Sequence, residues 1–326
     1  MTKLANDTLP ANLDSDLGFA APHDIPVPYM DRTRKYYQAL GYEQPYRWAQ
    51  FVDVPFKRLE RPASECTVAI VTTAAPYQPD KGDQGPGAPY NSAAKFYNVY
   101  SLPTETTPDL RISHVGIDRK HTTATDMNSW LPLDQLRSLA NNGRINKVSP
   151  RLHGTPTNRS HRATLNIDCP DILSRVQEDG ADAAILLANC PVCHQTISLT
   201  ARHLETHGIP TVVMGCAKDI VEHCGVPRFL FSDFPLGNPA GKPHDQQSQK
   251  ETLSMALNLL EMASGPRTTL QSKIRWSNNP DWKLDYLNVE RISAGELDRR
   301  RREFDRQKQI AKGRLAEDSG KIAPAE

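Results

Sequence analysis

Cys190 and Cys193 stand three residues apart in the run Cys190-Pro191-Val192-Cys193. Two thiols at this spacing suit a redox couple, in which one sulfur attacks and the other resolves the adduct as a disulfide. The pair follows the apolar run 183–188 and precedes a helical pattern, so it falls at a strand-to-helix junction. Cys190 then occupies the N-cap and Pro191 the first helical position, where a missing N–H costs nothing. Free N–H groups and the positive end of the helix dipole lower a thiol pKa at such a place. Cys190 is the expected nucleophile and Cys193 the expected resolving thiol. Other readings of the same residues stay open: general thiol–disulfide exchange, and a redox- or metal-responsive binding protein using Cys190, Cys193 and Cys216. Cys190 to His194 also satisfies the haem-attachment pattern, but there it would interrupt a βαβ unit.

The elements around the pair are regular. A helix over 170–179 leads to the strand 183–188, then to a helix ending near His207 with Gly208 as its stop. The strand 210–214, a short helix over 217–224, the strand 228–231 and a helix from about Gln247 to Ala263 follow. Strands spaced by helices predict βαβ units. The fold class expected is α/β, a parallel or mixed sheet with flanking helices plus a charged helical C-terminal extension. Further upstream, 67–73 and 111–117 read as strands, and 133–140 and Tyr29 to Leu40 as helices. The Pro- and Gly-rich stretch from Pro76 to Tyr90 is a long loop, a kind often tied to function. The organisation expected is a segment over 1–60, loose up to about residue 26 and with a short helix. An α/β region over 61–265 follows, as one body or as lobes 61–165 and 166–265, and then the extension 266–326. Arg299 to Arg302 fall in that extension; a solvated helix is the plain reading, a partner- or RNA-contacting helix the sharper one.

Composition narrows the classes. The chain has 326 residues with 39 basic and 38 acidic, net +1, which argues against a protein that coats nucleic acid. No apolar run reaches membrane-spanning length, and the start Met1 to Asp7 lacks an apolar signal stretch, so the expected location is cytoplasmic. Six cysteines are too few for a secreted disulfide scaffold. Gly82, Gly85 and Gly87 precede no helix start, so nucleotide binding is unsupported.

The stretch Asp182 to Cys193, Arg202 to Val213, Pro227-Arg228 and Phe234-Pro235-Leu236-Gly237-Asn238-Pro239 resembles the B component of glycine/sarcosine/betaine reductase and D-proline reductase. His114, Asp118, Asp126 to Asn128, Leu131 to Asp134 and Asn142 to Val148 are similar to the same family, so the likeness spans roughly 60–260. The resemblance implies that Cys190 takes a position commonly held by selenocysteine and that Cys193 resolves. It also implies a small-molecule substrate activated by a pyruvoyl group on a partner subunit, with no cofactor in this chain. A thioredoxin-like reductant and a homo-oligomer complete the expected partners, with no nucleic acid and no membrane. This chain departs from the family in carrying sulfur at Cys190. It also has Thr196 where glycine-type members have a further cysteine.

Reductive cleavage needs a proton for the leaving amine and a clamp for the substrate. His194 and His114 are the expected proton donors. Asp126, Asn128, Arg228 and Asn238 are the expected substrate-binding residues, Arg228 for a carboxylate. No metal is expected outside the alternative site above.

Overall fold

The computed structural model describes residues 25–44, 46–157 and 160–320, with side chains as far as 316. The expected loose segment lies, through residue 24, outside the described residues.

In chain order come α1 (Tyr29–Ala39), β1 (Thr67–Thr72), β2 (Ala75–Pro76), β3 (Tyr100–Pro103), β4 (Leu110–Arg111) and α2 (Leu133–Asn141). Next are β5 (Lys147–Val148), β6 (Arg151–Gly154), α3 (Cys169–Glu178), β7 (Ala183–Leu187) and α4 (Pro191–Thr206). The chain ends with β8 (Thr211–Gly215), α5 (Lys218–Cys224), β9 (Arg228–Phe231), α6 (Gln246–Met262), β10 (Thr268–Gln271) and α7 (Ala294–Gly320). The main sheet runs β10-β9-β8-β7-β1-β6-β3, with β5 also on β1. Every pair in it is parallel except β3 with β6.

The runs Thr67–Thr72, Ala183–Leu187 and Thr211–Gly215 are buried at every position, because helices cover both faces. Val71, Leu186 and Val213 pack against Ile172, Ile197 and Val221 of α3, α4 and α5. Ile70, Ile185 and Val212 pack on the other face against Leu136 and Leu257 of α2 and α6. From β1 the chain steps to β6 on one side, then crosses to β7 on the other. The parallel order β6-β1-β7-β8-β9 therefore reads 2-1-3-4-5, and its switch point lies between β1 and β7. Loops leaving the carboxyl ends of those two strands diverge there and leave a crevice.

The expected strand 111–117 is a correction: only Leu110–Arg111 pair, with Ala75–Pro76, and the chain leaves that ladder at Ile112, which is buried in the core. Residues 112–117 instead cross the carboxyl end of the sheet, with Ile112 and Ile117 turned inward. The extension is tied into the fold. β10 pairs with β9, and Trp282 and Tyr286 lie in an apolar cluster with Tyr29 and Phe234. In α7, Gln307 Oε1 accepts from Ser92 N at 3.0 Å, and Phe304 sits against Tyr37 and Tyr42. Arg299 and Arg300 pair with Glu296, and Arg301 with Asp305, so much of the arginine run is neutralised within its own helix. No helix among the described residues is long and apolar enough to cross a membrane.

Candidate active site

β7 ends at Leu187, and Ala188 N–H still reaches Met214 O of β8 at 3.1 Å. Cys190 follows as the N-cap of α4, with extended backbone, and its Sγ accepts from Cys193 N at 3.2 Å. Cys190 and Cys193 are joined as a disulfide with their Cα atoms 4.8 Å apart. That separation is within the ordinary range for a bridge. Cys190 is 3% exposed and Cys193 is fully buried. Their cover includes the segment after β4: a Cβ added at Gly116 would stand 2.8 Å from Pro191 Cδ. Val99 and Ile117 share the apolar cluster of the two sulfurs.

His194 is placed otherwise than a proton donor requires. Its ring is fully buried, Nδ1 lies 2.7 Å from Cys190 O, and Nε2 accepts from Cys216 N at 2.8 Å and Ala217 N at 3.1 Å. With Nε2 accepting two N–H groups, the proton belongs on Nδ1, and the neutral ring staples the end of β7 to the end of β8. Gly215 makes room for it, since a Cβ there would lie 2.6 Å from the ring. Burial depresses the imidazole pKa to about 4, partly opposed by the Cys190 carbonyl. The unfolded chain takes up that proton below its ordinary 6.5, so stability present at neutral pH is lost as pH falls toward 4, by about 3 kcal/mol for this ring. Buried Asp118 and Asp219, pushed up to about 6, act with the opposite sign in the same window. The readout is therefore a difference. Urea denaturation of His194→Gln should show a shallower loss of stability between pH 6.5 and 4 than the parent chain, and equal slopes would refute the neutral staple.

His114 lies at the carboxyl end of β1. Its ring bonds to the Thr73 backbone just past β1, burial depresses it to about 4, and its buried Nδ1 has no partner among the described residues. Asn189 Nδ2 reaches Thr73 Oγ1 at 3.4 Å, while its buried Oδ1 has no partner among them. These groups gather at the carboxyl ends of β1 and β7, the switch point. Asp118, 4% exposed, is pushed up to about 6 by burial against the opposing charge of His121, and its Oδ2 is also unpartnered among the described residues. Tyr286 Oη donates to Gly116 O at 2.9 Å, holding the same segment from outside. Asn189 and Asp118 fall within the segments that carry the family resemblance, but nothing in the sequence singles them out as site residues. Thr73 and Tyr286 had no local signal.

Arg228 is a correction. It opens β9 at the amino end of the strand, and its Nη1 donates to Glu205 Oε1 at 2.8 Å with both side chains fully buried. Glu205 is fifteen residues along α4 from Cys190, so the rise of the helix puts the ion pair about 22 Å from the sulfurs. Asp126 and Asn128 are also engaged structurally. Asp126 Oδ2 accepts from His244 N at 2.7 Å and Gln249 Nε2 at 2.6 Å, and Asn128 Oδ1 accepts from Asp134 N at 3.2 Å. Asn238 is buried, and its Nδ2 donates to Thr122 Oγ1 at 2.7 Å and Pro235 O at 3.0 Å. Cys216 lies in a different apolar cluster with Tyr29 and Trp282, and burial pushes its thiol up. Among the described residues no three His, Cys, Asp or Glu side chains group as metal ligands, so Cys216 does not join the pair as a third ligand.

A family model described as glycine/sarcosine/betaine reductase selenoprotein B matches residues 36–189, ending on the residue before Cys190. D-proline reductase subunit gamma of Acetoanaerobium sticklandii is 28% identical over 197 residues, 60% of this chain and 78% of that protein. Glycine reductase complex component B subunit gamma of Carboxydothermus hydrogenoformans is 26% identical over 208 residues, 62% of this chain and 47% of that protein. Betaine reductase complex component B subunit beta of Peptoclostridium acidaminophilum is 23% identical over 257 residues, 77% of this chain and 53% of that protein. The chain thus spans about half the length of the glycine and betaine relatives. No solved structure matches it. Residues 36–189, which carry β1 through β7, are thus similar to the glycine/sarcosine/betaine reductase selenoprotein B family, and the chain resembles D-proline, glycine and betaine reductase components.

Proposed function

We propose that this protein is the thiol-bearing component of a reductase that cleaves a C–N or other carbon–heteroatom bond of a small amino acid- or betaine-like substrate. The observation that carries this reading is the Cys190–Cys193 disulfide at the N-terminus of α4, beside the switch point. The names of the relatives support the reaction class.

In the reduced form the N-terminus of α4 stabilises the Cys190 thiolate. The thiolate attacks the substrate carbon, the C–N bond breaks, and the amine departs with a proton. Asp118, on the covering segment and held up to about 6 by burial, is the proton source we assign. Cys193 then attacks Cys190 Sγ. The S–S bond forms, the C–S bond breaks, and the carbon takes a proton. The sum is substrate and two thiols giving a C–H product, a free amine and one disulfide. A thioredoxin-like dithiol returns the two electrons. A pyruvoyl group on a partner subunit would supply the electron sink that makes the carbon electrophilic. His194 and Asn189 position the Cys190 turn, and substrate and reductant meet the sulfurs when the segment His114 to Arg119 is displaced.

The test is a single turnover without external reductant. Reduced protein, in the complex with which it purifies, is given glycine, sarcosine, betaine or D-proline. Peptide mapping should find one Cys190–Cys193 disulfide per amine released. Amine release with both thiols still open to alkylation would overturn the reading, as would no release with any of the four.

A further inference from the structure

A cavity of about 320 Å³ lies on the far side of the segment that covers the cysteine pair. Ile112, Ser113 and Ile117 form one wall of it, and Ile117 also packs in the apolar cluster of Cys190 and Cys193. Opposite stands the Gly- and Pro-rich loop Gln84 to Ala88. That loop is fixed rather than open: Gln84 Nε2 donates to Gln78 O at 2.7 Å and its Oε1 accepts from Gln78 N at 3.0 Å. The volume holds about ten water-sized groups at ~30 Å³ each, at the small end of ligand cavities.

The lining is apolar on most sides and one-sided in charge. Among the described residues, Arg111 is the one ionisable residue of the lining, and no Asp or Glu lines it. Trp130 is 3% exposed, and its indole Nε1–H is buried with no partner among the described residues. Arg111 Nε–H is in the same condition, although Nη1 of that side chain pairs with Asp109 and the guanidinium lies over Tyr77. A buried donor left unpaired costs roughly 1–3 kcal/mol, so two in one cavity call for an acceptor. An anionic acceptor gains most, because charge-assisted bonds are the stronger kind. A free ammonium finds no carboxylate in the lining, and the Asp109 carboxylate beside Arg111 is already paired.

We infer that this cavity binds the carboxylate and short carbon body of a small monocarboxylate, with Trp130 Nε1–H and Arg111 Nε–H as its donors. Its role rests on the reductase reading above: the ligand's other end reaches toward the covering segment and the thiols. Binding itself does not need the sulfurs, so the two readings fail separately.

The experiment uses butyrate, butyramide and butylamine as probes on the full chain carrying Cys190→Ser and Cys193→Ser, followed by calorimetry and tryptophan fluorescence. Butyrate should bind with a Kd on the order of 1 mM. Butyramide and butylamine should each bind about tenfold more weakly or worse. Trp130→Phe keeps the ring volume and should weaken butyrate about tenfold, and Arg111→Met should do so by at least as much. Circular dichroism confirms the fold of each variant. Equal affinity for butyrate and butyramide, unchanged butyrate affinity in both donor variants, or no butyrate binding up to about 50 mM overturns the inference.

Discussion

Cys190→Ser is expected to lose turnover by at least about a thousandfold, because a serine hydroxyl is not ionised at neutral pH and a thiolate is the stronger nucleophile. The fold should survive. Serine is a favoured N-cap residue, so it can accept from the N–H of residue 193 as Cys190 Sγ does. The buried site is also kept close in volume. Loss of activity in a chain as thermally stable as the reduced parent therefore reports chemistry rather than collapse. Cys193→Ala should fail differently. It can form the first adduct but cannot resolve it, so one substrate carbon fragment per chain should remain on Cys190, visible as a mass increase on the 190–206 peptide. Turnover at the parent rate in both variants would remove the thiol mechanism altogether.

Arg228→Met should lower stability by about 3–5 kcal/mol, since it leaves Glu205 ionised and buried without its partner. Glu205 keeps only part of its support, through Thr211 N–H and Thr211 Oγ1 on one oxygen and Lys57 N–H on the other. Burial already pushes its carboxyl above the ordinary range against the pull of Arg228. Removing the guanidinium should push it further. The unfolded carboxyl ionises at its lower ordinary pKa, so the loss should be greatest at neutral pH and shrink as pH falls toward that value. The midpoint of thermal unfolding at pH 7 should drop by about 5 °C. KM of the folded protein should not change, because the pair sits at the other end of α4 from the sulfurs. A raised KM with intact stability would instead return Arg228 to the substrate.

Much of the site's local frame is legible in the sequence. Apolar runs of five or six residues, followed by a proline at a helix start, mark β7 and α4 through short-range patterning and capping. The same logic yields β8, β9 and α6 within one or two residues. Strand direction carries further information that is also local: Arg228 opens its strand, and ligands in such sheets gather beyond the carboxyl ends, so its distance from the sulfurs could be read without coordinates. The role of His194 could not. It depends on the end of β8 lying beside the end of β7, so that the N–H groups of Cys216 and Ala217 meet Nε2. Thr73, Asp118 and the cavity wall come from separate segments of residues 73–130 and Tyr286 from more than a hundred residues further on, brought together because the 112–119 crossing buries Ile112 and Ile117 over the sheet end. The arginine run is the clearest case. Its charges read as a solvated helix or a partner-contacting one, and only the docking of Gln307 on Ser92 and Phe304 on Tyr37 and Tyr42 ties that helix to the body of the fold. Spacing fixes what a residue can do within one element; which partner it meets is decided by burial across the whole chain.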